Sequence, residues 1–376
     1  MTGGALQETS LHGWHLAHGA RMAAFAGWEM PLHYGSALTE HAAVRQDAGL
    51  FDVSHMMVLD LEGPDARRLL RLALANDVAR LDGRPGKALY TTLLQEDGGI
   101  LDDLMVYALD GNRYRLVLNA SQSAEDQVHL RHLAEVRGWE AGFRPRTDWG
   151  ILACQGPGAC ARFSGLLGMP DLDVLPRFTG MAAGPGLFIA RTGYTGEDGV
   201  EILGFSEKLL PLADALLSSG VQPAGLAARD SLRLEAGLKL YGQDMDSGDT
   251  PDRSALSATV DLNDPGREFL GRETVLWERQ QGIAWKLVGL VLEEGIPRHG
   301  YPVLSACGEL LGTVTSGLFS PSLRRGIALA RVVAGYGPGA RVQVSIRGQA
   351  HRAMVVNPPF WRNGQAQAFY PQEQGQ

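Results

Sequence analysis

The sequence has few cysteines, and their spacing forms no recognisable pair. It contains Cys154, Cys160 and Cys307, and an odd, unpaired set excludes the disulfide framework of a small secreted protein. The same spacing excludes a zinc knuckle. Because free thiols are typical of a reducing compartment, we expect a cytoplasmic protein.

Long apolar runs and a basic leader are also missing. No stretch reaches the roughly 18 apolar residues that a membrane-spanning helix needs. The first residues lack the basic segment and apolar run of a signal peptide. With 42 acidic against 34 basic residues the formal net charge is −8, which disfavours general binding to nucleic acid. We therefore expect a soluble protein that binds neither membranes nor nucleic acid.

Glycine and proline, by contrast, are abundant. The 48 glycines and 19 prolines indicate many tight turns and substantial β structure. Because one hydrophobic core rarely extends beyond about 250–300 residues, we expect two or three domains. The prediction is an α+β domain at 1–145, a second at 146–283 with a connector at 244–267, and an all-β barrel at 284–376. In this prediction the first α+β domain can interleave in sequence with the second.

A strand–turn–helix pattern occurs twice. Leu61–Ala66 and Cys154–Ala159 share a Gly-Pro turn, and a helix follows each, at Ala66–Leu74 and Ala159–Leu167. Further strands, a glycine-containing acidic turn and a second helix come after both copies. This predicts two related α+β units from a duplication, with chance similarity of the turn as the alternative.

Other segments predict individual elements. Residues 1–50 are expected to be mostly helical, and Phe51–Leu61 to form one strand. From Ala284 onward, short strands separated by glycine-bearing turns indicate a small all-β barrel or sandwich. The connector Asp244–Arg267 is polar and contains Pro and Gly, so we expect it to lie outside a core.

Three histidines recur at every third position near the N-terminus. The spacing of His12, His15 and His18 is compatible with a metal site, but no carboxylate or cysteine follows them as in the H-E-x-x-H motif. We therefore predict a solvent-exposed helix face and no metal.

Adjacent aspartates precede an apolar strand. Neighbours on a strand point to opposite faces, so one of Asp102 and Asp103 must face the covered side. A carboxylate there is costly unless it meets a cation, a donor or a ligand, which makes one of the two a site candidate. The alternative is a pair of turn-capping side chains.

Two further charged positions are candidates. Glu201 lies within the apolar strand Val200–Leu203, where a carboxylate can accept two parallel hydrogen bonds from an amino-pyrimidine edge; an outward-facing residue is the alternative. Arg229 and Arg233 share one side of a helix over 224–237. They either bind a carboxylate or form salt bridges with Asp230 and Glu235, and spacing alone favours the salt bridges.

Taken together, short segments in this order resemble the aminomethyltransferase, or T-protein, family of the glycine cleavage system. The resemblance runs through almost the whole chain, and the ordered set is far more specific than any one segment. The segments are Phe25–Leu32, Phe51–Met56, Gly98–Leu104, Gln155–Pro157, Arg191–Gly199, Ala224–Glu235, Tyr241–Met245, Thr315–Pro321 and Ile327–Ala330.

The resemblance implies a fold and a reaction. Such proteins have three domains around a central cavity that holds tetrahydrofolate as co-substrate. A lipoylated H-protein delivers an aminomethyl group on its lipoyl sulfur, and the products are 5,10-methylenetetrahydrofolate, ammonia and the dihydrolipoyl carrier. By resemblance, Asp103 lies near the reacting folate nitrogens, Glu201 binds the pterin and Arg229 contacts the folate. The remaining cavity residues implied are Met56, Tyr90, Tyr107, Asn119, Tyr194 and Tyr370.

The sequence departs from the family in two places, and two alternatives share its scaffold. Met57 replaces a usual glycine, and Asp252–Leu256 replaces a Glu-Ala-Gly-Leu-like segment. One alternative is a folate-dependent demethylase, which would use the same acids. The other is a non-catalytic folate-binding protein of iron–sulfur maintenance, whose signature cysteine is absent from Lys239–Asp244.

Overall fold

The chain has a mixed α+β fold. The computed structural model describes residues 5–168, 172 and 174–367. It divides into two compact units, each discontinuous in sequence. The first comprises Met1–Gly193, Glu197–Arg229 and Ala258–Arg272, and the second Tyr194–Gly196, Asp230–Ser257 and Glu273–Gln376. The three-domain boundaries stay a prediction.

Strands and helices alternate along the first unit, and strands dominate the second. The strands are β1 Gln7–Glu8, β2 Arg21–Phe25, β3 Trp28–His33, β4 Gly49–Asp52, β5 Met57–Glu62, β6 Ala88–Leu94, β7 Ile100–Ala108, β8 Arg113–Leu118, β9 Gly142–Pro145, β10 Trp149–Gln155, β11 Gly180–Ala182, β12 Leu187–Ala190, β13 Gly199–Phe205, β14 Gln222–Pro223, β15 Trp285–Leu292, β16 Pro302–Leu304, β17 Leu310–Ser320, β18 Arg325–Val333, β19 Arg341–Ile346, β20 Gln349–Val356, β21 Trp361–Arg362 and β22 Gln365–Ala366. The α-helices are α1 His12–Ala17, α2 Ala37–Gln46, α3 Ala66–Ala73, α4 Ser123–Arg137, α5 Ala159–Leu167, α6 Ser206–Ser218, α7 Leu226–Glu235 and α8 Arg272–Gln281. Short 3-10 helices occupy Val78–Leu81 and Ser257–Thr259.

A five-stranded sheet in the order β6-β7-β8-β5-β9 forms one half of the first unit. Alternate residues of its strands, such as Leu59, Leu104 and Leu116, join α3 and α4 in one buried core. Because strand side chains alternate between faces, the intervening residues project from the opposite face of the sheet. That second face carries the candidate catalytic aspartate.

A six-stranded sheet in the order β11-β12-β13-β10-β4-β14 forms the other half. Leu152, Ile189 and Ile202 pack with α5 and α6 in a second core. The alternate residues again lie on the opposite face, and Glu201 is among them.

The two Gly-Pro turns of the predicted duplication have the same backbone geometry. Gly63 and Gly156 have φ of 132° and 135°, a region that side chains rarely enter. A Cβ at either position would also lie within 2.6 Å of a backbone oxygen. Both turns lead from a sheet strand into a helix on its core side, at α3 and α5, which agrees with two related α+β units.

Two local predictions were wrong. Residues 1–50 are not mostly helical as predicted: β2 and β3 pair there as a hairpin. Its turn, Ala26-Gly27, has positive φ at both residues, and alanine is an unusual residue there, so the turn gave no sequence signal. Phe51–Leu61 is also not one strand: β4 belongs to the six-stranded sheet and β5 to the five-stranded sheet.

In the second unit, β15 to β20 close into a barrel in the order β15-β18-β17-β16-β19-β20. Val288, Leu290, Val303 and Val344 are among the side chains that fill it. The predicted C-terminal barrel is therefore confirmed. Within the described part of the chain, no helix combines the length and apolar character needed to cross a membrane.

The segment predicted to lie outside a core is partly buried. In the second unit Asp244 is 1% exposed and Thr250 is 5% exposed. In the first unit Arg267 is 4% exposed, and its guanidinium donates to the backbone oxygens of residues 71, 74, 75, 76 and 261. The prediction failed because polar residues can be buried when hydrogen bonds satisfy them.

Replacing Arg267 with methionine is expected to destabilise the first unit strongly. Each buried carbonyl left without a donor costs about 1–3 kcal/mol, so the free energy of unfolding should fall by at least about 3 kcal/mol. Thermal denaturation measures this loss as a lowered Tm. Arg67→Met is the matched control, because Arg67 forms an exposed ion pair with Asp82 that is worth about 1 kcal/mol or less. Equal effects of the two substitutions would contradict the structural role of Arg267.

Candidate active site

Asp102 and Asp103 project from opposite faces of β7, as their adjacency predicts. Asp102 is fully buried on the helix-covered face with Leu104 and Val106. Asp103 is half-buried on the other face, which it shares with Tyr107. The two carboxyls therefore belong to different environments although their residues are neighbours.

Hydrogen bonds fix both oxygens of the Asp103 carboxyl. The Tyr90 hydroxyl, from neighbouring strand β6, donates to Oδ2 at 2.7 Å. Asn119 directly follows β8, and its Nδ2 donates to Asp103 Oδ1 at 3.1 Å and to the Asp103 carbonyl at 2.9 Å. The sheet thus brings three of the residues implied by resemblance together at one point.

Asp103 titrates close to neutral pH. Burial, and after it the nearby charge of Asp102, raise the pKa of its carboxyl to about 7. The hydrogen bonds from Tyr90 and Asn119 oppose this shift because they stabilise the ionised form. A carboxyl with such a pKa can exchange a proton at physiological pH.

Replacing Tyr90 with phenylalanine is expected to raise the pKa of Asp103. The change removes a donor to the carboxylate worth about 1 kcal/mol, which corresponds to about 0.7 pH unit. The acidic limb of the kcat/KM–pH profile should move to higher pH by about that amount. Tyr107→Phe is the control, because the Tyr107 hydroxyl bonds to Thr192 and not to Asp103. An unmoved limb in Tyr90→Phe would contradict the proposed ionisation.

Glu201 lies on the face of β13 that is turned away from the second core. Its cross-strand neighbours are Ala153 on β10 and Ala190 on β12. Both neighbours are small side chains that are fully buried, whereas Glu201 is partly exposed. The Thr192 hydroxyl donates to Glu201 Oε2 at 2.5 Å, which holds the carboxylate in place.

Tyr107 links the two sheets beside Glu201. Its hydroxyl lies 3.0 Å from Thr192 Oγ1, and since the single Thr192 proton goes to Glu201, Tyr107 is the donor. The Tyr107 ring also packs edge-on against Phe188 of the six-stranded sheet, at 5.3 Å. Burial and the charge of Glu201 raise the pKa of Tyr107, so its hydroxyl stays protonated. The non-core faces of the two sheets therefore meet, and both candidate acids lie on them.

Arg229 lies at the start of α7, close to His55. Burial and the charge of Arg229 lower the pKa of His55 to about 4, so this histidine is neutral. Its ring contacts Phe25 edge-on at 5.5 Å, and its Nδ1 has no hydrogen-bond partner among the described residues. Met56 follows His55 and is partly exposed.

Other predicted positions have different surroundings. Tyr194 belongs to the second unit, where its hydroxyl donates to the Lys239 carbonyl. Tyr370 lies outside the described residues. Arg233 is buried and pairs with Asp230 at 2.8 Å and Asp244 at 2.7 Å, so a salt-bridge role is confirmed, with Asp244 in place of Glu235.

The histidine prediction was wrong for His15. That side chain is 1% exposed, and its ring nitrogens lie 2.8 Å from Asp52 Oδ2 and 2.7 Å from the Tyr34 hydroxyl. Leu11, which directly precedes helix α1, and Trp14 within that helix pack into the second core, so His15 is also turned inward. His12 is partly exposed, and its ring nitrogens lie 2.8 Å from Glu29 and 3.5 Å from Glu8. The ligand atoms of these three side chains are close enough together to hold one metal ion.

The two departures from the family pattern have structural explanations. Met57 begins β5 and packs against the first core, on the face of the sheet opposite Asp103. In the second unit, Asp252 pairs with Arg279 at 2.9 Å, and Leu256 is buried. Met57 therefore leaves the Asp103 face of the sheet unchanged.

Thr192 and Asp126 are the residues that sequence reasoning missed. Thr192 lies in the glycine-rich loop before β13 and gave no sequence signal, because its role depends on a strand nine residues later and on a tyrosine from another sheet. Asp126 did give a signal. With Leu130 and Ala134 it forms a stripe at four-residue spacing on α4, and an acid on an apolar stripe is unusual.

Comparisons with known proteins agree with this architecture. The family model described as the GCVT N-terminal domain matches residues 11–264, and the glycine cleavage T-protein C-terminal barrel domain matches residues 286–361. The crystal structure of glycine cleavage system aminomethyltransferase T from Bartonella henselae superposes with a TM-score of 0.90 at 38% identity, covering 95% of this chain and 98% of that one.

Curated relatives from two organisms share the name aminomethyltransferase. The aminomethyltransferase of Stenotrophomonas maltophilia (strain K279a) is 48% identical over 369 residues, covering 96% of this chain and 98% of that protein. The aminomethyltransferase of Bordetella petrii is 45% identical over 365 residues with the same coverages. These relatives favour an aminomethyltransferase over a demethylase or an iron–sulfur maintenance protein. The chain therefore belongs to the glycine cleavage T-protein family and is an enzyme of the aminomethyltransferase, one-carbon-transfer class.

Proposed function

We propose that the chain transfers the methylene of an aminomethyl group from a lipoylated H-protein to tetrahydrofolate, releasing ammonia. The observation that carries this proposal is the pair of carboxyls on the facing surfaces of two sheets. Asp103 is held by Tyr90 and Asn119, and Glu201 is held by Thr192. Each acid has fixed geometry and remaining acceptor capacity for a ligand.

Glu201 is suited to the pterin end of the co-substrate. A pterin presents an amino-pyrimidine edge with parallel N–H donors, and an ionised carboxylate accepts two of them. Glu201 is partly exposed, so its carboxylate is accessible to such a ligand. Met56 is partly exposed and supplies apolar surface on the same unit. Tyr107 is fully buried, so it acts through its hydrogen bond to Thr192 and not as a surface for the ligand. Arg229 supplies a positive charge for an acidic group of the folate.

Asp103 is suited to the reacting end. Positive charge develops at the one-carbon centre during transfer, and a fixed carboxylate stabilises it without having to reorganise. With a pKa of about 7, Asp103 can also accept a proton and return it. Asn119 and Tyr90 keep the carboxylate oriented, so its role is electrostatic and proton-transferring, not covalent. The tetrahydrofolate supplies the nucleophilic nitrogen.

Partner and compartment are part of the same proposal. The reaction needs a carrier that presents a thiol-bound aminomethyl group, and the lipoyl arm of an H-protein has that chemistry. We propose the cytoplasm because none of Cys154, Cys160 and Cys307 forms a disulfide, as a reducing compartment favours.

An ammonia-release assay tests the proposed function. Purified protein is mixed with aminomethylated H-protein, with and without tetrahydrofolate, and ammonia and 5,10-methylenetetrahydrofolate are measured. We expect equal amounts of both products, formed in the complete mixture. Demethylation of a methylamine or methyl thioether, with no ammonia from the H-protein, would overturn the proposal.

A further inference from the structure

Helix α4 contains a buried acid for which the mechanism above gives no use. Asp126 is fully buried on the face of α4 that packs against the first core, in line with Leu130 and Ala134. No N–H or O–H group of the described residues donates to either of its carboxyl oxygens. A buried carboxylate without donors is very costly, so this carboxyl has to be neutral.

The group that Asp126 meets is the carboxyl of Asp102. The two side chains are hydrogen-bonded to each other, which requires a proton on one of them. Asp102 has other donors. The side-chain Nδ2 of Asn119 donates to Asp102 Oδ1 at 2.8 Å, and the backbone N–H of Asn119 donates to Asp102 Oδ2 at 3.2 Å. Burial first, and then the charge of Asp102, raises the pKa of Asp126 to about 10. Burial raises the pKa of Asp102 as well, but the hydrogen bonds from Asp126 and Asn119 oppose that shift. The proton therefore belongs to Asp126, and Asp102 is the acceptor.

The Asn119 amide continues the chain to the reacting carboxyl. Its Nδ2 lies within hydrogen-bond distance of both Asp102 Oδ1, at 2.8 Å, and Asp103 Oδ1, at 3.1 Å. The orientation of this amide is set by the buried Asp102 on one side of the sheet, and it acts on Asp103 on the other. The four residues form a continuous hydrogen-bonded series from the core to the candidate active site.

We propose that Asp126 is a positioning residue for Asp103: it keeps a proton in the core and donates it to Asp102, which fixes the Asn119 amide that orients the Asp103 carboxylate. This inference rests on the proposed role of Asp103. No covalent step is involved, and the proton stays on Asp126 during turnover.

The arrangement has a consequence for pH dependence. The titratable groups acting on Asp126 are Asp102 and Asp103 from β7 and Glu125 on its own helix, and those acting on Asp103 include Asp102 and Tyr90. If the carboxyl of Asp126 is removed, Asp102 loses a donor and takes up a proton itself, so the negative charge of Asp102 disappears. Asp103 then loses a like-charged neighbour, so its pKa falls.

Two substitutions of Asp126 distinguish a role as hydrogen-bond donor from a role in packing alone. Asp126→Asn keeps a neutral side chain of the same shape with an N–H donor, so kcat and the acidic limb of kcat/KM should stay within about twofold and about 0.3 pH unit of the parent protein. Asp126→Ala removes the donor. Its acidic limb should move down by about one pH unit, and kcat should fall about tenfold or more. Glu125→Gln is the control for loss of a nearby exposed charge.

The reverse pattern would overturn the proposal. If Asp126 were ionised, Asp126→Asn would remove a charge and shift the limb downward as Asp126→Ala does. If the residue only filled space, Asp126→Ala would leave the limb unmoved.

A spectroscopic measurement keeps the test independent of activity and of the alanine variant folding. Infrared difference spectra between the parent protein and Asp126→Asn are recorded at a pH between the pKa values of Asp103 and Asp126. We expect the carbonyl band of one protonated carboxyl in the parent protein only. Its absence would overturn the inference. Should the parent protein show this band and yet release no ammonia with H-protein and tetrahydrofolate, the proposed function fails and the assignment of the proton stands.

Discussion

Replacing Asp103 with asparagine lowers kcat by about two to three orders of magnitude and leaves the affinity for tetrahydrofolate within about threefold. The amide keeps the size and most hydrogen bonds of the side chain but cannot carry the negative charge that stabilises the transition state. Steady-state kinetics gives kcat, and calorimetry gives the folate Kd. Equal losses in both would show that Asp103 binds the ground state, and would contradict the electrostatic role.

The pH profile and the stability of this variant provide internal controls. In the parent protein kcat/KM should fall as the pH drops through about 7, where Asp103 takes up a proton. In Asp103→Asn this limb should vanish from the residual activity. Since the folded-state pKa is raised, the protonated group contributes stability that is lost as the pH rises through about 7. The neutral variant should therefore have a Tm at least equal to that of the parent protein above that pH.

Replacing Glu201 with glutamine raises the Kd for tetrahydrofolate by about 10- to 100-fold, and kcat at saturating folate changes little. A charged acceptor contributes about 1.5–3 kcal/mol to such a bond, and the glutamine amide also presents an N–H toward the donors of the pterin. Isothermal titration measures the affinity. Glu207→Gln, an exposed acid at the start of α6, is the matched control. Unchanged affinity in Glu201→Gln would remove this residue from the pterin site.

The two variants together separate binding from chemistry. If Asp103 and Glu201 act at opposite ends of one ligand, their effects on kcat/KM should add within a few tenths of a kcal/mol in the double variant. A strong interaction energy would mean that the two carboxyls share one partner group.

Local sequence patterns were reliable where the outcome depends on neighbouring residues. Strand alternation placed Asp102 and Asp103 on opposite faces, and the helices after both Gly-Pro turns lie where the pattern predicts. The hairpin at Ala26-Gly27 was missed because its positive φ angles fall on an unusual residue. Arg267 was misjudged because polarity alone does not reveal that several backbone carbonyls surround it.

The family, the strand–turn–helix units, the C-terminal barrel and the positions of the two acids on strands could all be predicted from the sequence. How those acids are held depends on contacts between distant segments of the fold. Thr192 joins Glu201 to Tyr107 across two sheets, and Asp126 reaches Asp102 from a helix 24 positions later in the chain. The physical reason is that secondary structure follows from the preferences of adjacent residues. The protonation and orientation of a buried carboxyl depend instead on donors that folding brings together from distant segments.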